Sequence, residues 1–296
     1  MTRAIKIGLS LMPHAAFQQA AQPLFDAGLV EVLEWSFDIS WGTKALPQWV
    51  LERLEQFSEQ HQLLGHGVSY SLLSARHESS HWLACLEAEC KQYHYQHISE
   101  HFGWSATRTF GDSAPLPMPF LPEVLKVGCD RIQKLADIAQ VPMGLENLAF
   151  AFSLQDVRDQ GPFLEQLLKP VDGFLLLDLH NLYCQLCNFQ ISAADLLNLY
   201  PLELVQELHL SGGSWSEGIA GKIRRDTHDQ AIPEPVFELL TLVLARCPNL
   251  KAVIIERLGD TLTSVSEHHQ FRQDFIRVRD ILANPGAGEG QYNDRG

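Results

Sequence analysis

The amino-acid sequence predicts a (β/α)8 TIM barrel, which is an α/β fold. Eight short apolar segments, each of a length suited to a strand, alternate with longer segments of helical periodicity. This alternation is typical of βαβ units that build a parallel sheet, and eight such units predict a closed barrel. No GxGxxG or GxxxxGK(S/T) motif follows any strand-like segment. The alternative, a doubly wound open sheet, therefore has less support.

The predicted elements follow one another along nearly the whole chain. Strands are expected at residues 6–11, 30–36, 63–69, 95–101, 142–148, 173–181, 205–212 and 252–257. Helices are expected at residues 17–27, 48–61, 79–92, 122–139, 161–168, 192–199, 233–246 and 264–282. We therefore expect one metal-binding barrel domain over residues 1–283 and a flexible C-terminal tail over residues 284–296, which is rich in glycine.

Two connections are longer than a turn between neighbouring elements requires. One follows the fourth strand and carries the Pro-rich run from Ala114 to Pro119, and the other is the Gly-rich loop from Gly212 to Gly221. Both leave strand ends on the side of a barrel where active sites lie. They are expected either to cover the mouth of the barrel as a lid or to dock a partner.

Composition and charge argue against several classes of protein. The net charge of −14, without a basic cluster, argues against a nucleic-acid partner. No segment approaches the roughly 20 apolar residues of a membrane helix, and the chain begins without a signal peptide, so we expect a cytoplasmic protein with no membrane partner. The six cysteines lack the spacing of a disulfide framework. The lone Cys184-x-x-Cys187 pair is interpreted as structural.

The sixth predicted strand ends in Asp178 and His180, two residues apart. Because side chains alternate along a strand, a continuous strand would place both on the same face. Taken alone, this segment fits a helix-capping Asp beside an incidental His equally well. Five other predicted strands also end in ligand-type residues, however, and a barrel gathers all these ends around one mouth.

The strand ends and the loop after the seventh strand supply the candidate metal ligands. They are His66, His101, Glu146, Asp178, His180, His209, Asp226, His228 and Glu256. Imidazoles and carboxylates without a thiolate suit iron, manganese or zinc better than magnesium, calcium or copper(I). Two carboxylates about 4 Å apart repel by roughly 1 to 4 kcal/mol, so a crowded acidic mouth holds either protons or cations. Nine ligands exceed the coordination of one ion, which predicts two or three ions with a bridging carboxylate.

The motifs around these residues resemble those of the multinuclear non-haem iron-dependent oxidative enzymes. These are TIM-barrel proteins of the xylose isomerase-like superfamily, and they include the methanobactin oxazolone/thioamide-forming enzyme. The resemblance spans residues 6–260 and rests on seven motifs in the same order. They are His66-Gly67-Val68-Ser69, Ser99-Glu100-His101, Leu145-Glu146-Asn147, Leu177-Asp178-Leu179-His180-Asn181, Glu207-Leu208-His209-Leu210, Asp226-Thr227-His228-Asp229 and Ile255-Glu256.

The resemblance also implies how the ligands are shared among the ions. One iron would be held by His66, His101 and Glu146. A second would be held by the bridging Glu146 with Asp178, His209 and Glu256. A third, more labile iron would be held by His180, Asp226 and His228.

The sequence departs from the family pattern around this set of ligands. Met12 stands where an arginine is usual, Gly213 where many relatives carry a further histidine, and Arg257 where a tryptophan is frequent. The second strand ends in Glu34-Trp35-Ser36 and lacks the usual acid-amide-aromatic run. These positions would line the substrate pocket. The resemblance therefore predicts the metal site better than it predicts the substrate.

The resemblance implies an oxidoreductase that uses dioxygen and two to three iron ions (Fe2+/Fe3+), with manganese or zinc as other candidate metals. The implied substrate is a cysteine-containing peptide or a related small molecule with a thiol, and relatives often receive the peptide from a leader-peptide-binding partner protein. The alternatives are a divalent-metal-dependent isomerase or phosphoesterase of the related barrels, and a metal-binding partner protein without turnover. The fold does not separate them, because one barrel supports many chemistries.

Overall fold

The computed structural model describes residues 4–42, 45–74, 79–105, 115–218 and 221–284. The barrel strands are β1 (Lys6–Ser10), β2 (Val32–Trp35), β3 (Leu63–Gly67), β4 (Tyr95–His101), β5 (Met143–Glu146), β6 (Phe174–Asp178), β7 (Val205–Leu210) and β10 (Ala252–Ile255). Between β7 and β10 the chain forms two further strands outside the barrel, β8 (Trp215–Gly218) and β9 (Gly221–Arg224). Neighbouring barrel strands pair in parallel, and β1 pairs with β10, so the sheet closes. The predicted (β/α)8 barrel is confirmed.

Helices surround the barrel and connect its strands. They are α1 (Ala15–Asp26), α2 (Gln48–Glu59), α3 (Ser80–Gln92), α4 (Pro122–Ala139), α5 (Leu154–Leu168), α6 (Leu179–Phe189), α7 (Ala193–Leu197), α8 (Glu234–Leu244) and α9 (Val265–Ala283). Ser153, Asp178, Ser192 and Ser264 each accept a hydrogen bond from a backbone N–H in the first turn of the helix that follows. Such caps satisfy donors that the helix cannot pair internally, and they define where these helices begin.

The interior of the barrel combines a small apolar cluster with an unusual number of polar side chains. Val32, Leu64, Ala252 and Ile254 form the apolar cluster. Side chains alternate across each strand, so the residues two positions further along face the interior as well, and on β2 and β3 these are Glu34 and His66. The core between the barrel and its helices is larger and apolar. Glu34 and His66 are therefore turned toward the barrel axis.

The structure corrects the interpretation of the sixth strand. Strand β6 ends at Asp178, whose Oδ1 accepts a hydrogen bond from the backbone N–H of Asn181 at 2.6 Å, and α6 begins at Leu179. His180 therefore lies in the first turn of a helix, and strand alternation does not relate it to Asp178. The prediction of a continuous strand through His180 is wrong because the capping hydrogen bond of Asp178 turns the chain into a helix.

A hairpin occupies most of the Gly-rich loop from Gly212 to Gly221. It consists of the antiparallel strands β8 (Trp215–Gly218) and β9 (Gly221–Arg224), and it lies between β7 and α8. The structure describes the loop after β4 up to Ser105 and again from Pro115. An antiparallel β-bridge between Trp104 and Leu116 joins these two parts. Apart from Asn284, the predicted tail lies outside the described residues. None of the helices in the described ranges is long and apolar enough to cross a membrane.

Candidate metal centre

Among the described residues, seven of the predicted ligands form one connected cluster at the carboxyl ends of the barrel strands. They are His66, His101, Glu146, Asp178, His209, His228 and Glu256. Within each of its overlapping groups of three, the donor atoms lie within 4.8 Å of one another. The cluster draws on β3 to β7, the end of β10 and the segment after β9. The barrel thus brings together residues that are up to 190 positions apart in the chain.

His66 and His101 face the same oxygen of Glu146. Their Nε2 atoms lie 3.3 and 3.1 Å from Glu146 Oε2, respectively. Nδ1 of His66 lies 2.8 Å from the hydroxyl of Ser99, its partner in the register between β3 and β4. The burial that disfavours a charged ring is outweighed by the close carboxylate of Glu146 and by the negative charge of Glu34, which together raise the pKa of His66 to about 9. Ser99 orients this ring so that Nε2 points into the cluster.

A second part of the cluster is built around His209. Its Nδ1 lies 3.2 Å from Glu256 Oε2, and its Nε2 lies 2.9 Å from Glu34 Oε2. Asp178 lies opposite His209 in the register between β6 and β7, and Glu146 belongs to the same group of donors. The contact with Glu34 takes up one ring nitrogen of His209 and directs the other toward the carboxylates.

Asn181 holds the carboxylates of Glu146 and Asp178, and Asn147 holds the backbone of Asp178. The Nδ2 atom of Asn181 donates to Glu146 Oε1 at 3.3 Å and to the backbone carbonyl of Asn147 at 2.9 Å. The side chain of Asn147 in turn pairs with the backbone N–H and carbonyl of Asp178. Each carboxylate thus keeps one oxygen turned toward the cluster while the protein fixes its orientation, which is how surrounding hydrogen bonds tune metal sites.

The donor atoms at the centre of this cluster fit a bound cation. Glu146 Oε2, Asp178 Oδ2, His209 Nδ1 and Glu256 Oε2 are buried and have no hydrogen-bond partner within the described part of the chain. Buried polar atoms without a partner are rare and costly, and a metal ion would satisfy them. Burial, together with the negative charges of Asp226, Glu146 and Glu256, raises the pKa of Asp178 well above its usual value. A cation would relieve this crowding of negative charge.

The remaining two predicted ligands, His180 and Asp226, lie beside the cluster and contact other groups. Nδ1 of His180 lies 3.0 Å from Asp226 Oδ1, and the guanidinium of Arg224 faces Nε2 of the same ring at 3.1 Å. The same Asp226 oxygen lies 2.8 Å from Nε2 of His228. Burial and the neighbouring guanidinium lower the pKa of His180, against the influence of Asp226. The structure therefore gives His180 and Asp226 protein partners.

Sequence comparison relates this arrangement to a known family. Residues 7–282 match the family model described as "RiPP precursor modification enzyme MbnB/TglH/ChrH". This chain belongs to the MbnB/TglH/ChrH family. The predicted family resemblance is confirmed. RiPP denotes a ribosomally made peptide that is modified after its synthesis.

Proteins similar to this chain occur in several bacteria. A UPF0276 protein of Caulobacter vibrioides is 28% identical over 86% of this chain and 87% of its own length. A UPF0276 protein of Pseudomonas aeruginosa is 28% identical over 82% of each chain.

Solved structures with the same fold support the xylose isomerase-like architecture. The D-psicose 3-epimerase of Clostridium cellulolyticum H10 has a TM-score of 0.60 and 11% identity, covering 94% of this chain and 99% of the epimerase. A xylose isomerase-like TIM barrel protein of Mycobacterium smegmatis, solved with magnesium, has a TM-score of 0.54 and 13% identity, covering 95% and 100% of the two chains. At these identities the likeness concerns the fold alone.

Several residues that contact the candidate ligands could not be identified from the sequence. Glu34 was noted only as a departure from the family pattern, although an acid within a short apolar strand is itself a signal of a buried site. Ser99 and Asn147 lie inside the quoted motifs, but no feature of the sequence showed which ligands they contact. The position of Arg224 depends on the hairpin, and the sequence was interpreted there as a loop.

Beneath the cluster, a buried pair of residues extends into the barrel. Glu207 lies two positions before His209 on β7, so its side chain faces the barrel interior as well. Its Oε2 lies 2.8 Å from Nε2 of His97, while its Oε1 lies 3.9 Å from Nε2 of His209. Glu207 therefore lies deeper than His209, and its closest contact is with His97.

Proposed function

We propose that this chain is an oxidoreductase that uses iron and dioxygen to modify a cysteine-containing peptide or a related small thiol. The proposed site consists of His66, His101, Glu146, Asp178, His209, His228 and Glu256, with two to three ions. Manganese or zinc would fit the same donors. We further propose that it acts in the cytoplasm, where its six cysteines stay reduced.

The observation that carries this proposal is the set of buried donor atoms that face one another without hydrogen bonds. Histidine nitrogens and carboxylate oxygens in such numbers suit a transition metal such as iron, manganese or zinc. Of these, iron would supply the proposed chemistry, because it can pass electrons from a substrate to dioxygen. The family description, which names RiPP precursors, supports a peptide as the substrate.

The residues of the chain would position the metal and limit the access of water. Ser99 and Glu34 would hold the rings of His66 and His209 in one orientation each. Asn181 would keep Glu146 directed at both parts of the cluster. Most of these groups are buried, so their electrostatic interactions are little weakened by solvent. A site fixed in this way would need little rearrangement when a substrate binds.

Exposed apolar side chains on the loops around the mouth are consistent with a peptide substrate. Phe150 and Phe152 follow β5 and pack edge to face, with 5.1 Å between ring centroids. Trp215 is half-exposed on the β8–β9 hairpin, which also follows a barrel strand. Loops after barrel strands surround the active site, so these aromatic groups would contact a peptide that reaches the metal centre. A leader-peptide-binding partner protein would deliver that peptide.

The isomerase and phosphoesterase alternatives have no specific observation in their favour. The likeness to epimerases concerns the fold, and one barrel architecture supports many chemistries. The metal itself distinguishes these classes, since zinc has no redox chemistry. A protein that is active with zinc or magnesium alone would belong to one of the alternatives.

The function can be tested once the neighbouring genes have been searched for a Cys-bearing precursor peptide and a protein that delivers it. The anaerobically purified protein is loaded with iron, mixed with the peptide and its delivery protein, and exposed to dioxygen. We expect a change in peptide mass that requires both iron and dioxygen and is absent with the zinc-loaded protein. An unchanged peptide in the presence of a fully iron-loaded protein, or the same change with zinc, would contradict the proposal.

A further inference from the structure

The guanidinium of Arg224 contacts the ring nitrogen of His180 that a metal ion would need. Arg224 Nη2 and Nε lie 3.1 and 3.3 Å from His180 Nε2. A guanidinium is a donor and stays protonated, so Nε2 has to be the acceptor. The ring proton is therefore on Nδ1, which donates to Asp226 Oδ1 at 3.0 Å. With Nδ1 donating and Nε2 accepting, His180 has no lone pair left for an ion.

Arg224 is fixed in this position by its surroundings. Its backbone N–H and carbonyl pair with the side-chain amide of Asn188, at 2.8 and 2.9 Å. Its guanidinium lies 5.2 Å from the ring centroid of Tyr183 and 5.6 Å from that of Trp215. The side chain is only 6% exposed. An ion that binds at His180 Nε2 would have to displace the buried guanidinium of Arg224, which these contacts hold in place. The positive charge of Arg224 would also repel the ion.

Gly213 lies close to the His180 ring, beside its Cε1 atom. A β carbon added at this position would lie 2.7 Å from His180 Cε1 and 2.1 Å from the backbone oxygen of Arg225. No side chain fits there without movement of the backbone. Position 213 therefore cannot supply a further ligand beside His180.

The other two ligands predicted for the third ion, Asp226 and His228, also contact other groups. Asp226 uses the same Oδ1 toward His180 and His228. His228 belongs to a group of donors with Asp178 and Glu256, in the connected cluster. The residues expected to hold a third ion thus form a chain of contacts from Arg224 through His180 and Asp226 to His228, which ends at the cluster.

We propose that Arg224 is a built-in cation that replaces the third metal ion, so that this chain binds two ions. One would lie among His66, His101 and Glu146, and the other among Glu146, Asp178, His209 and Glu256, with His228 at its edge. This inference rests on the metal centre of the proposed function and is independent of the substrate. His180 and Asp226 are then positioning residues that hold Arg224 and His228.

The number of ions tests this proposal directly. The full-length chain is stripped with a chelator and titrated anaerobically with Mn2+, and bound metal is measured by elemental analysis and by the EPR signal of free Mn2+. We expect two equivalents for the wild type and a third, weaker equivalent for Arg224→Met. The matched control Arg225→Met changes the exposed neighbouring arginine and should bind two.

Variants of His180 show whether the additional ion binds at this residue. They also provide a test that does not depend on Arg224→Met alone. His180→Gln keeps an acceptor for Arg224 and should still bind two ions, whereas His180→Gln combined with Arg224→Met should lose the third equivalent. The proposal would be overturned by three ions in the wild type, by two in Arg224→Met, or by loss of an ion in His180→Gln. None of these results would contradict the proposed metal centre itself. Fewer than one ion in the wild type would overturn both.

Discussion

Nδ1 of His209 lies 3.2 Å from Oε2 of Glu256, and neither atom has a hydrogen-bond partner within the residues that the structure describes. The other nitrogen of the same ring faces Glu34 at 2.9 Å. Leaving a buried polar atom unpaired costs about 1 to 3 kcal/mol. A metal ion bound to both atoms would remove that cost, and the same argument extends to Glu146 and Asp178.

Glu146→Gln should remove metal from both parts of the cluster. Glu146 belongs to the group with His66 and His101 and also to the group with Asp178 and His209. Loss of a residue that only supports a ligand lowers metal affinity by up to about 100-fold. Because Glu146 is a ligand that both ions share, we expect its loss to lower metal affinity by more than about 100-fold. Elemental analysis after gel filtration measures the change, and circular dichroism checks the fold. The control Glu165→Gln, on the exposed surface of α5, should bind as the wild type does. Unchanged metal content in Glu146→Gln would rule out this carboxylate as a shared ligand.

Ser99→Ala should weaken the metal centre although Ser99 is not a ligand. Its hydroxyl fixes the ring of His66 through Nδ1. Loss of such a supporting contact typically lowers affinity by about 10- to 100-fold. Competition with a chelator of known affinity measures the effect. Ser58→Ala is the matched control, because Ser58 is buried and accepts a hydrogen bond from the backbone of His94, on a different part of the barrel. Equal affinities of the two variants would contradict the role given to Ser99.

The sequence predicted the parts of this molecule that depend on local pattern and on the regularity of the barrel. A parallel barrel brings the carboxyl ends of all its strands together, so His66, Glu146 and Glu256 could be grouped before any distance was known. The prediction failed at His180, because a single hydrogen bond from the backbone N–H of Asn181 to the carboxylate of Asp178 decides between a strand and a helix there.

The position of Arg224 could not be predicted for a different reason. Its backbone is held by Asn188, which is 36 residues away in the chain, and its side chain lies over a ring of α6. These contacts form only once the β8–β9 hairpin has folded onto that helix. A local pattern in the sequence carries no information about such a contact, whereas the strand ends follow from the fold itself.

Cys184→Ala should leave the metal content unchanged, as expected if the Cys184-x-x-Cys187 pair is structural. The thiol of Cys184 is buried, and this burial, with the charges of Asp226 and Asp178, raises its pKa far above the usual value. A thiol in this state is neither a ready nucleophile nor a metal ligand. In the native protein, iodoacetamide should therefore modify the partly exposed Cys85 and spare Cys184, as measured by peptide mapping. Loss of metal from Cys184→Ala would show that this thiol belongs to the site.

An anomalous difference map at the iron edge, from crystals of the anaerobically iron-loaded protein, tests the metal centre most directly. We predict one peak within bonding distance of Nε2 of His66 and Nε2 of His101, and a second beside Nδ1 of His209 and the carboxylate of Glu256. Glu146 should contact both ions. Crystals of a fully loaded protein without a peak at the barrel mouth, or with iron bound only elsewhere, would contradict the account.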